Sequence, residues 1–235
     1  PFSLPEKIMT RLTVVESNRN VSCYFTKEAA GRLLAIDLKP LILGRLAQVT
    51  YDYFNEEDKP FVIEEGGRIS EEGSMQGSHD VYVNEEQGIL YNLGIKVKLE
   101  DKRVVKTAIC FDLKENHLKP KPVSLILDFP FNYLHDFVVE SYDRSEQYIL
   151  LGIPLEKTKS HMYIGIGSTG DDYAIYDVTD INNIYRISGL EIEGGGYYHQ
   201  AWFTTDKKYL VISDEVQPDN ITVSYTHLTL PTTYT

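Results

Sequence analysis

The stretch Gly194-Gly195-Gly196-Tyr197-Tyr198-His199-Gln200-Ala201-Trp202-Phe203-Thr204-Thr205-Asp206-Lys207-Lys208-Tyr209-Leu210-Val211-Ile212-Ser213-Asp214-Glu215 reads as two strands joined by a tight turn. The first run ends in Trp202, Phe203 and Thr204, residues 205–208 carry turn chemistry, and residues 209–213 are apolar and β-branched. At the head of the first strand, His199 is followed by Gln200. The same feature occurs twice upstream, as His79-Asp80 before Val81-Tyr82-Val83 and as His135-Asp136 before Phe137-Val138-Val139. The three histidines are 56 and 64 residues apart. A His followed by a hydrogen-bonding residue at the start of a strand, three times at similar spacing, marks an internal repeat.

Each repeat carries further strands. After His79, strands are expected at 80–84, 89–93, 107–113 and 123–128, with a turn at 85–88. After His135 they are expected at 137–140, 148–153, 162–166, 173–178 and 184–187. After His199 the pattern supplies two strands. Antiparallel units of about four short strands at a period near 50–60 residues are the mark of propeller blades, which bury their apolar faces by stacking on their neighbours. The fold class expected is therefore all-β, a partial β-propeller of four-stranded antiparallel blades.

The rest of the chain is less regular. Residues 1–20 show no clear period and stand as an unassigned segment. Residues 21–78 read as a degenerate blade and loop, with strands at 21–26 and 32–38, an apolar run at 41–46, and strands at 49–54 and 60–63 that pair with each other. A helix over 27–38 competes, because Lys27-Glu28-Ala29-Ala30 are good helix formers, although Gly31 weakens it. Residues 66–78 are a polar loop. Residues 79–222 are the incomplete set of blades. Residues 223–235 drop the pattern, resemble the adaptor-derived tails of assembled transcript sequences, and are expected to stand outside the fold. The chain starts at Pro1 and is read as lacking its true N-terminus, hence as a fragment.

Composition narrows the function. The 235 residues are 42 % hydrophobic and 25 % charged, with 17 Tyr and one Trp, and the formal net charge is −12. That charge argues against a nucleic-acid partner, which selects for basic patches. No apolar run approaches the ~18–20 residues of a membrane-spanning helix. The two cysteines, Cys23 and Cys110, lie in separate apolar runs and read first as buried thiols, with a disulfide as the other reading.

The residues Tyr173-Ala174-Ile175-Tyr176-Asp177-Val178-Thr179-Asp180 resemble the LVIVD repeat, an apolar strand closed by Asp-Val-Ser/Thr-Asp. The segment 196–202 with Thr205-Asp206, Tyr209 and Asp214-Glu215, the segment Ser78-His79-Asp80 with Asn84-Glu85, and Leu134-His135-Asp136 are similar, in the same order, to three segments of the choice-of-anchor B family. Asp80, Ala201 and Val216-Gln217 depart from the family pattern. The resemblance spans roughly residues 74–219 and implies a secreted or surface-attached propeller without a defined activity, hence an extracellular or cell-surface location.

His79, His135 and His199 are the candidate ligands of this chain, with Gln200 beside them. If the blades are rotated copies, the three imidazoles start equivalent first strands and face a shared channel. Imidazoles suit borderline transition metals, so a divalent metal is the cofactor considered. By strand alternation Asp80, Asp136 and Gln200 point away from the preceding His. Blade-to-blade hydrogen bonding by these histidines is the favoured reading, a metal or ligand site the second, and catalysis the third. Asp177 and Asp180, like Asp171-Asp172, read as turn formers before Ca²⁺ ligands, because their spacing does not fit an EF-hand loop. Trp202, Tyr197 and Tyr198 read as packing between blades. The function expected is an extracellular scaffold that binds a protein or small ligand on a propeller face. The alternative is a metal-dependent lyase or hydrolase using the channel histidines.

Overall fold

The computed structural model describes residues 12–17, 20–27, 32–37, 40, 44–46, 48–53, 61–64, 68–69, 78–98, 104–127, 134–143, 161–168, 173–190, 197–207, 209–214 and 221–225. These residues hold seventeen strands. The chain divides into two compact units, Pro1–Leu127 with Asn132–His135, and Asp128–Phe131 with Asp136–Thr235. Among the described residues no helix is long and apolar enough to cross a membrane.

The first unit opens with the antiparallel sheet β1 (Leu12–Ser17), β2 (Asn20–Lys27), β3 (Arg32–Asp37) and β4 (Gln48–Tyr53), paired in that order. The sequence around 12–17 shows no clear period, yet it forms β1 because β2 offers it a complete ladder from Leu12↔Phe25 to Ser17↔Asn20. The helix weighed for 27–38 gives way to β3. Its residues pair on both edges, and Leu33 and Ala35 are fully buried on one face. Cross-strand pairing outweighs a modest local helix preference. The apolar run at 41–46 ends in a turn at 44–46, where the Arg45 N–H donates to the Pro40 carbonyl (2.8 Å) and Leu46 is exposed.

The strand at 60–63 does not pair with β4. It forms β5 (Phe61–Glu64), which pairs with β6 (Arg68–Ile69), inside the loop expected at 66–78, and in parallel with the next sheet. That sheet contains β7 (Val81–Asn84), β8 (Ile89–Lys98), β9 (Val104–Asp112) and β10 (Lys121–Ile126), antiparallel and in sequence order. Strand β8 is long enough to serve two partners. Ile89–Asn92 pair with β7, and Val97 and Lys98 pair with β5. The β7–β8 turn is closed by its own residues: the Gln87 and Gly88 N–H groups donate to the Asn84 Oδ1 and carbonyl, both at 2.8 Å.

Leu90, Tyr91, Asn92 and Leu93 are consecutive and fully buried, as are Ala108, Ile109, Cys110 and Phe111 on β9. Successive residues of a strand face opposite ways, so β8 and β9 are covered on both faces. Cys110 is a free, buried thiol. Burial pushes its pKa up to about 12, against a smaller lowering from the nearby Ser124 side chain. Cys23 lies on β2, and its side chain is outside the described residues.

The second unit contains β11 (Asp136–Asp143), β12 (His161–Ser168), β13 (Tyr173–Asp177) and β14 (Tyr185–Leu190), antiparallel and in sequence order. The strand expected at 148–153 lies outside the described residues. A further sheet follows, β15 (Tyr198–Phe203), β16 (Tyr209–Asp214) and β17 (Ile221–Tyr225). Strand β17 includes Val223–Tyr225, which the sequence reading had set aside with the tail; residues 226–235 lie outside the described residues. Strands β11 and β12 both pack on β15. Tyr142 and Phe203 meet edge-on at 6.2 Å, and Lys207 reaches Glu140 (3.1 Å) and the Ser141 carbonyl (2.5 Å).

Candidate functional site: three strand-head histidines

Each of the three histidines sits at or just before the head of a strand. His79 precedes β7 by two residues, His135 directly precedes β11, and His199 is the second residue of β15.

His79 is held by backbone. Its N–H donates to the Leu93 carbonyl, and the Leu93 N–H donates to the Asp80 carbonyl, both at 2.8 Å. These bonds lie where the β8–β9 ladder slips between Asn92 and Ile95. Gly94 occupies that bulge with φ +71°, and a Cβ there would come within 2.6 Å of the His79 Cβ. Glycine therefore serves both the left-handed backbone and the close approach of His79. On the other side, the Leu134 N–H donates to the Lys106 carbonyl of β9 (3.0 Å), which sets His135.

The two imidazoles meet. Their ring centroids are 4.0 Å apart at an interplanar angle of 51°, and their ligating nitrogens lie within 4.8 Å of one another. His135 is 3 % exposed and His79 half-buried. The surroundings in the same unit are polar and buried: Ser78, Asp80 and Asn92, with the Ser78 hydroxyl donating to Asn92 Oδ1 (2.7 Å). Burying this much polarity is costly unless each group is served, and it marks the place as more than hydrophobic packing.

His199 and Gln200 belong to the second unit and lie in a bulge of β15, where the register slips between Tyr198 and Ala201. The bulge turns two carbonyls toward the neighbouring sheet. The Ser168 hydroxyl donates to the His199 carbonyl (2.6 Å), and the Tyr173 hydroxyl donates to the Gln200 carbonyl (3.2 Å). The Tyr173 ring also packs on Tyr198, with centroids 5.2 Å apart. Burial raises the Tyr173 pKa, and the charge of Asp136 raises it further. At neutral pH the phenol is thus a donor, as the Gln200 carbonyl requires. Ser168 and Tyr173 escaped the sequence reading as site residues. Each looks like an ordinary strand residue until β12 and β13 are placed against β15.

The carboxylates occupy architectural posts. Asp136 Oδ1 accepts the Phe137 N–H (2.7 Å) and Asp214 Oδ1 the Tyr197 N–H (3.2 Å). Asp177 Oδ1 accepts the Thr179 N–H (2.9 Å) and Oδ2 the Tyr185 hydroxyl (2.8 Å), while Asp180 Oδ1 accepts the Asn182 N–H (3.0 Å). The Asp177–Thr179 and Asp180–Asn182 bonds are those of Asx turns. Glu215, Asp171 and Asp172 lie outside the described residues. Trp202, read as a packing residue, is instead 60 % exposed. Alternation explains this: Ala201 takes the buried side of β15, so Trp202 takes the other.

Neither a protein-family model nor a curated protein matches this chain. Among solved structures it is similar to a candidate 6-phosphogluconolactonase from Bacteroides uniformis, at 13 % identity and a TM-score of 0.52, covering 92 % of this chain and 54 % of that one. The AfRom2 CNH domain gives 10 % identity and a TM-score of 0.44 over 97 % of this chain and 53 % of that one. A thermostable family-43 glycoside hydrolase gives 10 % and 0.42 over 89 % and 64 %. The chain spans about half the length of the first two. At 13 % identity the likeness to the first of these bears on fold alone, and with the strand order described above the fold is all-β, built of four-stranded antiparallel sheets of the β-propeller type.

Proposed function

We propose that this chain is a binding scaffold, displayed outside the cell or on its surface, that presents the ends of its strands to a protein or small ligand. The observation that carries the reading is the use of the carboxylates. Asp136, Asp177, Asp180 and Asp214 each accept a backbone N–H of their own turn or sheet. A general base must instead reach a substrate proton. Carboxylates spent on turn closure make rigid loop supports, and loops on rigid sheets are where binding residues collect. The extracellular placement rests on the resemblance to the choice-of-anchor B family.

The alternative, a metal-dependent lyase or hydrolase, draws its support from the His79–His135 pair. The two are separated by assaying the purified chain, with and without added Zn²⁺, against ester, phosphate and glycoside substrates, alongside binding of the fluorescently labelled chain to intact cells. Saturable binding without turnover is expected. Turnover that disappears in His135→Ala would establish the enzyme and overturn the scaffold.

A further inference from the structure

We propose that His79 and His135, both of the first unit, ligate one borderline transition-metal ion of the Zn²⁺ class. The inference goes beyond the scaffold reading, which does not need a metal, and the two fail separately.

Four observations lead to it. First, His79 and His135 come from chain segments 56 residues apart, yet each is placed by a backbone hydrogen bond to a different strand of one rigid sheet. Second, their nitrogens already lie within 4.8 Å. Two imidazole nitrogens bound tetrahedrally at ~2.0–2.1 Å from zinc stand about 3.3 Å apart. Closing the pair therefore asks for a shift of at most about 1.5 Å, within reach of small side-chain rotations. Third, Gly94 gives up its side chain where any Cβ would strike His79. The contact is with the Cβ and backbone of His79, so the glycine lets this segment lie directly on the β8 bulge and fixes where the imidazole starts. Fourth, the setting is polar. Buried Asp80, Ser78 and Asn92 share the unit with the pair, and carboxylates and amides of this kind orient ligating imidazoles and raise their basicity.

A set of imidazoles without a thiolate selects Zn²⁺, Cu²⁺ or Ni²⁺ over Ca²⁺ or Mg²⁺, which take oxygen ligands.

The test uses the whole chain, stripped with a chelator and titrated calorimetrically with Zn²⁺ alone, then with Ca²⁺. One equivalent of Zn²⁺ is expected to bind, and no Ca²⁺. Loss of a ligand should cost more than loss of a residue behind a ligand, so His79→Ala and His135→Ala should each weaken binding at least about 100-fold. His117→Ala, in the β9–β10 connection, should leave it unchanged. His135→Gln guards against a folding defect: it keeps polarity and bulk, and it should show the wild-type circular dichroism spectrum while still losing Zn²⁺. Cu²⁺ electron paramagnetic resonance should show coupling to imidazole nitrogens, fewer by one in His79→Ala. The proposal is overturned if Zn²⁺ fails to bind stoichiometrically, if binding survives in His135→Gln, or if His117→Ala removes it.

Discussion

At the scale of single residues, burial sets chemistry in ways that neighbours in sequence do not reveal. Cys110 shares its run with Ile109 and Phe111, which already suggest an interior thiol. What they do not show is the Ser124 hydroxyl beside it or the closure of both faces of β9. The consequence can be measured. The thiol pKa rises from 9.0 to about 12 on folding, so the folded state keeps a proton that the unfolded state releases. The stability this proton carries is intact below pH 9 and is lost as pH rises toward 12. Tyr173, whose pKa is also raised, adds to the same alkaline loss. Urea unfolding between those pH values should therefore show a steep decline in the wild type. The decline in Cys110→Ala should be shallower, by up to about 4 kcal/mol across the window. Identical slopes would show that Cys110 is not shielded as described. Histidine makes the contrasting case. The recurrence of His with Asp or Gln was plain in the sequence, but the meeting of His79 with His135 depends on two hydrogen bonds to different strands.

At the scale of elements, bulges place the site. The β8 bulge lets one long strand serve β7 and β5, and it brings Gly94 beneath His79. The β15 bulge frees the His199 and Gln200 carbonyls for Ser168 and Tyr173. Gly94→Ala would set a Cβ against His79 and force a side chain into a left-handed backbone. It should destabilise the chain by about 1–3 kcal/mol, read as a lower urea midpoint. An unchanged midpoint would mean that the bulge is not as close as it stands here. The apolar runs of β7, β9, β11, β13, β15 and β16 were legible in the sequence because β-forming composition and turn chemistry are local properties. The pairing of β5 was not. Residues 60–63 looked like a partner for 49–54 across a short connection, and the ladder that won belongs to β8, about 35 residues further on.

At the scale of the whole molecule, charge is the property the sequence states most directly. A net charge of −12 on 235 residues is self-repulsive when compact. Raising ionic strength from about 0.01 M to about 0.1 M shortens the Debye length from ~30 to ~10 Å. The thermal midpoint should accordingly rise by a few degrees, and a fall would mean that attractive ion pairs outweigh the repulsion. By itself the sequence determined the all-β class, the three-fold recurrence at His79, His135 and His199, and the turn roles of Asp177 and Asp180. Each of these follows from composition or from spacing within a few residues. The tertiary structure alone decided which strands pair, that residues 12–17 and 223–225 join sheets, that Trp202 is exposed, and that His79 lies against His135. These depend on register and bulges set between residues tens of positions apart, where many pairings are locally acceptable and packing selects one.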